Sequence, residues 1–218
     1  MRFRGEPRRL TGELAPRLYA WASDLMDRGA CQALTLDTYE RELERYGGEP
    51  GMNVAEAVFG IDSGMVVEII RLDLARTIPV PREQLCALTL DCLLEGLGLD
   101  AEARLRWCAA RVQSRHDVGV EWREHKDELR SLLGSRGAGH EPLAPLLESF
   151  VRELRPHGER LAALRAGGAI AWPTAGDVMA SFAHMHCNRL LGLDRDAEHR
   201  ALGLLLRARE SLARAPLG

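Results

Sequence analysis

Hydrophobic positions recur at helical spacing along most of this chain. From Pro7 onward, Leu10, Leu14, Leu18, Trp21 and Leu25 fall near a 3.6-residue period. Thr11 is placed to cap that helix, and Gly29 stands where it would end. Residues 31–37 (CQALTLD) alternate instead and predict a short strand. Residues 39–53 break into a polar stretch containing Gly47-Gly48 and Glu49-Pro50-Gly51, which must turn. Helical spacing then returns. Asn53 is expected to cap a short helix over 54–59. Asp62 or Ser63 is expected to cap another that carries Val66, Val67, Ile69, Ile70, Leu72 and Leu74 and is ended by Pro79 and Pro81. Pro81 suits the first turn of a helix running through Leu97. Asp100 is placed to cap a helix over 101–113, and 118–133 predicts another. Gly134 to Gly139 reads as a loop and the one candidate hinge. Pro142 and Pro145 lead into helices over 143–155 and 157–165. Gly167-Gly168 and Pro173 make a break. Thr174 precedes a helix to about Leu191, and Asp194 starts the last one, to about Arg214.

Composition narrows the class. The 218 residues carry 29 Lys+Arg and 32 Asp+Glu, a net charge of −3, with 46% hydrophobic residues. That is a foldable globular mixture, long enough to bury a core without cross-links. The near-neutral balance argues against a general nucleic-acid binder. No apolar run approaches a membrane span, and the opening residues lack the apolar core of a secretory signal. Of the 29 basic residues only Lys126 is a lysine. Arginine dominance is the signature of GC-rich coding, though each planar fork also suits carboxylates. Five cysteines without a C-x-x-C spacing read as reduced thiols in a cytoplasmic protein.

Three segments hold candidate chemistry. The first is YERELERYGG over residues 39–48. Glu42 and Arg45, three apart, share a helical face and can pair. A tyrosine-bounded Arg/Glu cluster before a Gly-Gly turn suits anion binding; a solvated helix end with a glycine cap is the plain alternative. The second is HMHCNR over residues 184–189. On a helix His184 and His186 lie roughly 200° apart, so they do not chelate one ion. No metal is expected. His184 shares a face with Cys187, Asn188 and, one turn back, Ser181, a set that can orient an imidazole as acid or base. A Cys187/His184 nucleophilic pair lacks a third orienting group. The third is Met1-Arg2-Phe3-Arg4, which alternates like the end of a strand.

These residues resemble a known family. Residues 37–48 (DTYERELERYGG), then Met52, Ala55-Glu56, Phe59 and Asp62-Ser63, are similar to the C-terminal elimination domain of class I lantibiotic dehydratases and to stand-alone thiopeptide-type bacteriocin biosynthesis proteins. His184-Met185, Asn188-Arg189 and Leu190-Leu191-Gly192 are similar to that family's His-Met-x-x-Asn-Arg signature. The resemblance spans roughly residues 1–213. It implies an α+β fold, predominantly helical in this chain, with a short remnant of β-sheet at the N-terminus. Residues 1–218 are expected to form a single elimination-type domain. Met1-Arg2-Phe3-Arg4 looks like the tail of a family strand, so the strands before it are expected to be missing.

The resemblance also implies a reaction. A glutamylating dehydratase subunit, using glutamyl-tRNA, would place glutamate on Ser or Thr of a precursor peptide. The elimination domain would then remove the α-proton and expel glutamate, leaving dehydroalanine or dehydrobutyrine. On that basis Arg45 would bind glutamate or the enolate oxygen, and Glu42 would orient Arg45. Arg2 matches a second cationic residue, and His184 the general acid or base. Tyr46, Asn188 and Arg189 complete the substrate-binding set, while His186 falls at a variable position and carries no role. No cofactor is expected. The partners implied are the glutamylated precursor peptide and the dehydratase subunit, with no direct nucleic-acid contact and no membrane. The alternatives are a thiopeptide pyridine synthase, performing a formal aza-[4+2] cycloaddition with leader release, and a non-catalytic relative that binds peptide or partner.

Overall fold

A computed structural model of the chain describes residue 3 and residues 5–112, 118–137, 140–170 and 175–214, the side chains of 175–177 excepted. The chain divides into two compact units, residues 1–41 and 42–218.

The first unit is one irregular helical stretch. Glu6 caps a short turn, α1 (Pro7–Arg9), its carboxylate accepting from the Arg9 N–H at 3.0 Å. A π-helical turn, Leu10–Leu14, leads into α2 (Ala15–Asp27). Thr11 does not cap; its hydroxyl donates back to the Pro7 carbonyl at 2.9 Å. Gly29, at φ 70°, takes the left-handed turn that ends α2. The strand expected over 31–37 does not form. Alternation supplies a strand-like face, but a strand needs a neighbour to take its backbone groups, and the described residues contain no strand to pair with. Among the described residues the expected β remnant is thus not shown, and residues 31–37 are irregular chain. Of the other N-terminal strand candidate only Phe3 is described, and it is irregular.

The second unit is a helical bundle. A 3₁₀ turn (Glu44–Tyr46) precedes α3 (Glu49–Leu74). Then come α4 (Arg82–Gly96), α5 (Ala101–Ala109), α6 (Gly119–Gly134), α7 (Leu143–Ala166), α8 (Ala175–Leu191) and α9 (Arg195–Ala213). Helix α4 is buried on every face, from Gln84 through Leu94. It packs on α7, α8 and α9, while α3 packs on α7 and α8, and α5 and α6 pack on α9. A helix covered all round sits in the middle of its layer.

The caps at Asp100 and Asp194 form as expected: Asp100 accepts from Ala103 N–H at 2.7 Å, and Asp194 from Asp196 and Ala197 at 2.9 and 3.0 Å. Two boundaries are corrected. The expected helices on either side of residue 60 are one 26-residue helix, α3, with Asp62 in its interior. Asp62 caps nothing because its carboxylate is taken by side chains of α8. The expected break at Pro156 is absent too, and α7 runs through it. Directly beyond, Gly158 presses on α4: a Cβ there would stand 2.8 Å from the Leu97 Cα. The loop expected between Gly134 and Gly139 lies partly outside the described residues, as does Thr174.

Charge is also buried inside this bundle. Asp91 of α4 receives Arg209 of α9 through both carboxylate oxygens and Arg104 of α5 at 3.1 Å. By contrast, α6 keeps a charged outer face that includes the exposed Lys126.

Candidate functional site

The first candidate element is the turn before α3. Gly47 and Gly48 hold φ values of 83° and 90°, a left-handed pair that residues with a Cβ avoid. The Gly48 N–H reaches back to the Leu43 carbonyl at 2.6 Å, which closes the loop. The closure leaves Arg45 at the surface, its Nε 3.0 Å from Glu42 Oε2, with both side chains about half exposed (50% and 53%). An accessible guanidinium with one partner keeps donors for an arriving anion. The next residue faces inward. The Tyr46 ring is 3% exposed and packs edge-on to Phe59 of α3 (centroids 5.4 Å) and against Phe182 of α8 (5.5 Å). Phe59 and Phe182 complete the trio at 5.9 Å. Tyr46 thus anchors the turn that presents Arg45.

The second element lies on α8. His184 Nδ1 is 2.9 Å from Glu198 Oε2 of α9, and Asn188 Nδ2 is 3.0 Å from its Nε2. Glu198 accepts only, so Nδ1 carries the proton toward it. The Asn188 amide then donates to a lone pair on Nε2. The His184 side chain is 44% exposed, so a substrate can reach the ring. The helical spacing of His184 and Asn188 forecast their contact; Glu198 did not announce itself. It sits in the first turn of α9, where an acidic residue is ordinary on helix-dipole grounds, and only packing of α9 on α8 brings it to the imidazole.

On the opposite side of the same helix, His186 is wholly buried. Its Nδ1 is 2.6 Å from Asp62 Oδ1 and its Nε2 is 2.8 Å from Thr89 Oγ1, whose own proton goes to the Leu85 carbonyl at 2.8 Å. Asp62 Oδ2 accepts from Arg189 at 2.7 Å. Arg189 also lies over the Phe59 ring at 4.8 Å. This chain of contacts fastens α8 to α3 and α4. Beside it the Cys86 thiol donates to Cys187 Sγ at 3.7 Å. That bond, reinforced by burial, holds the Cys86 thiol well above the ordinary thiol range.

The structure therefore joins Arg45 with Glu42, and His184 with Asn188, and gives each pair an exposed face. No hydrogen bond or ion pair links the two pairs; they are coupled through the packing of Tyr46 on Phe182. Arg189 belongs to the buried Asp62 network. Arg2 lies outside the described residues. Among the described residues no group of three His, Cys, Asp or Glu side chains gathers as metal ligands would. No described helix is long and apolar enough to cross a membrane.

Comparison with known proteins places these features in a family. The family model described as "Lantibiotic biosynthesis dehydratase C-term" matches residues 1–209. The chain is 27% identical over 209 residues to the subtilin biosynthesis protein SpaB of Bacillus subtilis, covering 94% of this chain and 20% of that protein. Its fold resembles the crystal structure of the tRNA-dependent lantibiotic dehydratase MibB from Microbispora sp. 107891, with a TM-score of 0.81 and 22% identity, over 97% of this chain and 23% of that one. The chain spans about a fifth of the length of these relatives.

Proposed function

The chain belongs to the lantibiotic biosynthesis dehydratase C-terminal family, and from that premise we propose that it carries out the elimination half of dehydration. The substrate is a ribosomal precursor peptide bearing glutamate esterified to Ser or Thr, made by a glutamylating dehydratase subunit. Residues 1–218 act as one elimination-type domain.

The chemistry is a β-elimination. A base takes the α-proton, the Cα–H electrons become the Cα=Cβ bond, and the Cβ–O bond breaks with its electrons leaving on glutamate as a carboxylate. An ester leaves far more readily than a bare hydroxide, which is why the glutamate is attached first. The observation that carries this reading is the reachable His184 imidazole, fixed by Glu198 on one nitrogen and met by Asn188 on the other. Such a ring has its proton assigned to Nδ1 and its lone pair to Nε2, so Nε2 is the atom that exchanges a proton with substrate. Asn188 shares that nitrogen and holds the ring in plane until the substrate arrives. Arg45 supplies a half-exposed cation for charge that grows on the enolate oxygen or departing carboxylate, and Glu42 aims it. Arg2 is the second cation of the proposal. Tyr46 and Arg189 act through position: one anchors the Arg45 turn, the other ties α8 to α3.

The test is mass spectrometry of a peptide chemically glutamylated on Ser or Thr and incubated with the chain. Loss of glutamate to a dehydrated product is expected. Arg45→Ala should abolish the loss while circular dichroism and melting temperature stay near wild type, since its ion pair is exposed. His184→Ala should leave glutamylated peptide to accumulate. Normal yield of dehydrated peptide from either variant would sink its assignment.

A further inference from the structure

A cavity of about 300 Å³ opens between α4, α5, α9 and the C-terminal end of α6 with the turn that follows it, and it shares no residue with the His184 or Arg45 clusters. Its charged lining is Asp91, Glu95, Arg104, Arg136 and Arg209. Asp91 is occupied by Arg209 and Arg104. Glu95 is occupied by Arg104 at 3.2 Å and Arg136 at 2.5 Å. Three guanidiniums thus face two carboxylates, and one positive charge in the lining has no counter-charge there. Arg104 is 6% exposed, and its Nε, though 3.1 Å from Asp91, is not aligned with it and makes no hydrogen bond. Arg136 holds a backbone φ of 50°, a left-handed conformation that residues with a Cβ rarely adopt, and in it its side chain pairs with Glu95 at the cavity.

We propose that this cavity binds a small organic monoanion: a carboxylate on a short apolar body. A single excess positive charge calls for a single negative one, and leaving it uncompensated beside low-dielectric walls is costly. Guanidinium forks suit a carboxylate, whose two oxygens accept in one plane. The apolar part of the wall, Leu88, Leu133 and Leu212, has nothing to offer a bare inorganic ion but covers a short hydrocarbon chain. The volume lies at the lower end of ligand pockets, which sets the size of the guest. Because the lining comes from α4, α5, α9, the C-terminal end of α6 and the turn after it, the guest stabilises the packing of those elements by mass action.

The experiment titrates the intact chain with sodium butyrate at constant ionic strength, following methyl chemical shifts by NMR and the melting temperature. Butyramide, the neutral isostere, and inorganic phosphate are run in parallel. Butyrate is expected to saturate shifts confined to the cavity wall and to raise the melting temperature, and butyramide to do neither. Arg136→Gln, at a residue open enough to be replaced without unfolding the chain, is expected to weaken butyrate at least about tenfold, as loss of a charge-assisted pair should. Arg106→Gln, on the outer surface of α5, is expected to change nothing. The assignment is overturned if butyrate produces no saturable change, if butyramide matches it, if Arg136→Gln binds it as well as wild type, or if phosphate binds and butyrate does not.

Discussion

An imidazole serves in proton transfer when its tautomer is chosen before the substrate comes. At His184 that choice falls to Glu198, a positioning residue on a different helix. Glu198→Gln keeps the shape but lets the amide offer either an oxygen or an N–H to Nδ1. The expected result is a fall in kcat of about tenfold or more with KM and melting temperature little changed, a split that loss of packing would not give. Steady-state elimination kinetics on the glutamylated peptide check it. Thiol chemistry gives a second expectation at this scale. Cys92 and Cys108 are pushed up to about 12 by burial, with Asp91 adding to both. Cys86, Cys92, Cys108 and Cys187 are buried and Cys31 is half-buried. Alkylation of the native chain near pH 8 should therefore mark Cys31 alone, and the other four only after denaturation, as peptide mapping would read out. The candidate residues themselves were legible in unequal measure. The Glu42–Arg45 and His184–Asn188 contacts follow from spacings of three and four. Glu198 lies fourteen positions from its partner in sequence, and His186 reads as an ordinary helix residue until Asp62 and Thr89 are folded against it.

Helices reveal themselves by period, but their ends are decided by what neighbours take up the polar groups. Asp62 looks like a cap because aspartate commonly is one, yet its two oxygens go to His186 and Arg189, and α3 passes straight through. The strand expected over 31–37 fails for the complementary reason, since nothing among the described residues pairs with it. Glycines inside helices make the same contrast testable. A Cβ at Gly64 of α3 meets nothing within 4 Å. Gly64→Ala is therefore expected to stabilise by about 0.5–1 kcal/mol through helix propensity alone. Gly158→Ala in α7 would make the same propensity gain, but its Cβ would meet Leu97 backbone atoms at 2.8 Å. Backbone cannot rotate away, so α4 and α7 must separate, and a net loss of about 1–3 kcal/mol is expected. Opposite shifts in melting temperature confirm the pair; stabilisation by both would remove the close crossing of α4 and α7.

For the molecule as a whole, buried charge matters more than surface charge. Asp91, with its side chain 5% exposed, pairs with Arg104 and Arg209 from two further helices. Asp91→Ala leaves both guanidiniums facing an apolar methyl, and about 3–5 kcal/mol should be lost. Glu102, whose partner is Arg106 on the outside of α5, is 79% exposed. Glu102→Ala should shift stability by less than about 1 kcal/mol. Urea unfolding of the two variants, compared at equal m-value, measures the contrast. The helical bundle was readable from periodicity, and the caps at Asp100 and Asp194 from residue type. The polar interior was not. Asp62, Asp91, Arg104 and His186 lie on four different helices, and sequence spacing carries no information about which faces meet.

Lys126 gives the molecule one further property. It is the chain's single lysine, and it stands exposed on α6. Amine-directed reagents thus find one side-chain address on a surface otherwise written in arginine. A dye, a solid support or a cross-linking arm attached there has a known point of origin. Whatever protein such an arm captures was lying within its reach of α6, so one spectrum would survey which neighbours visit that face.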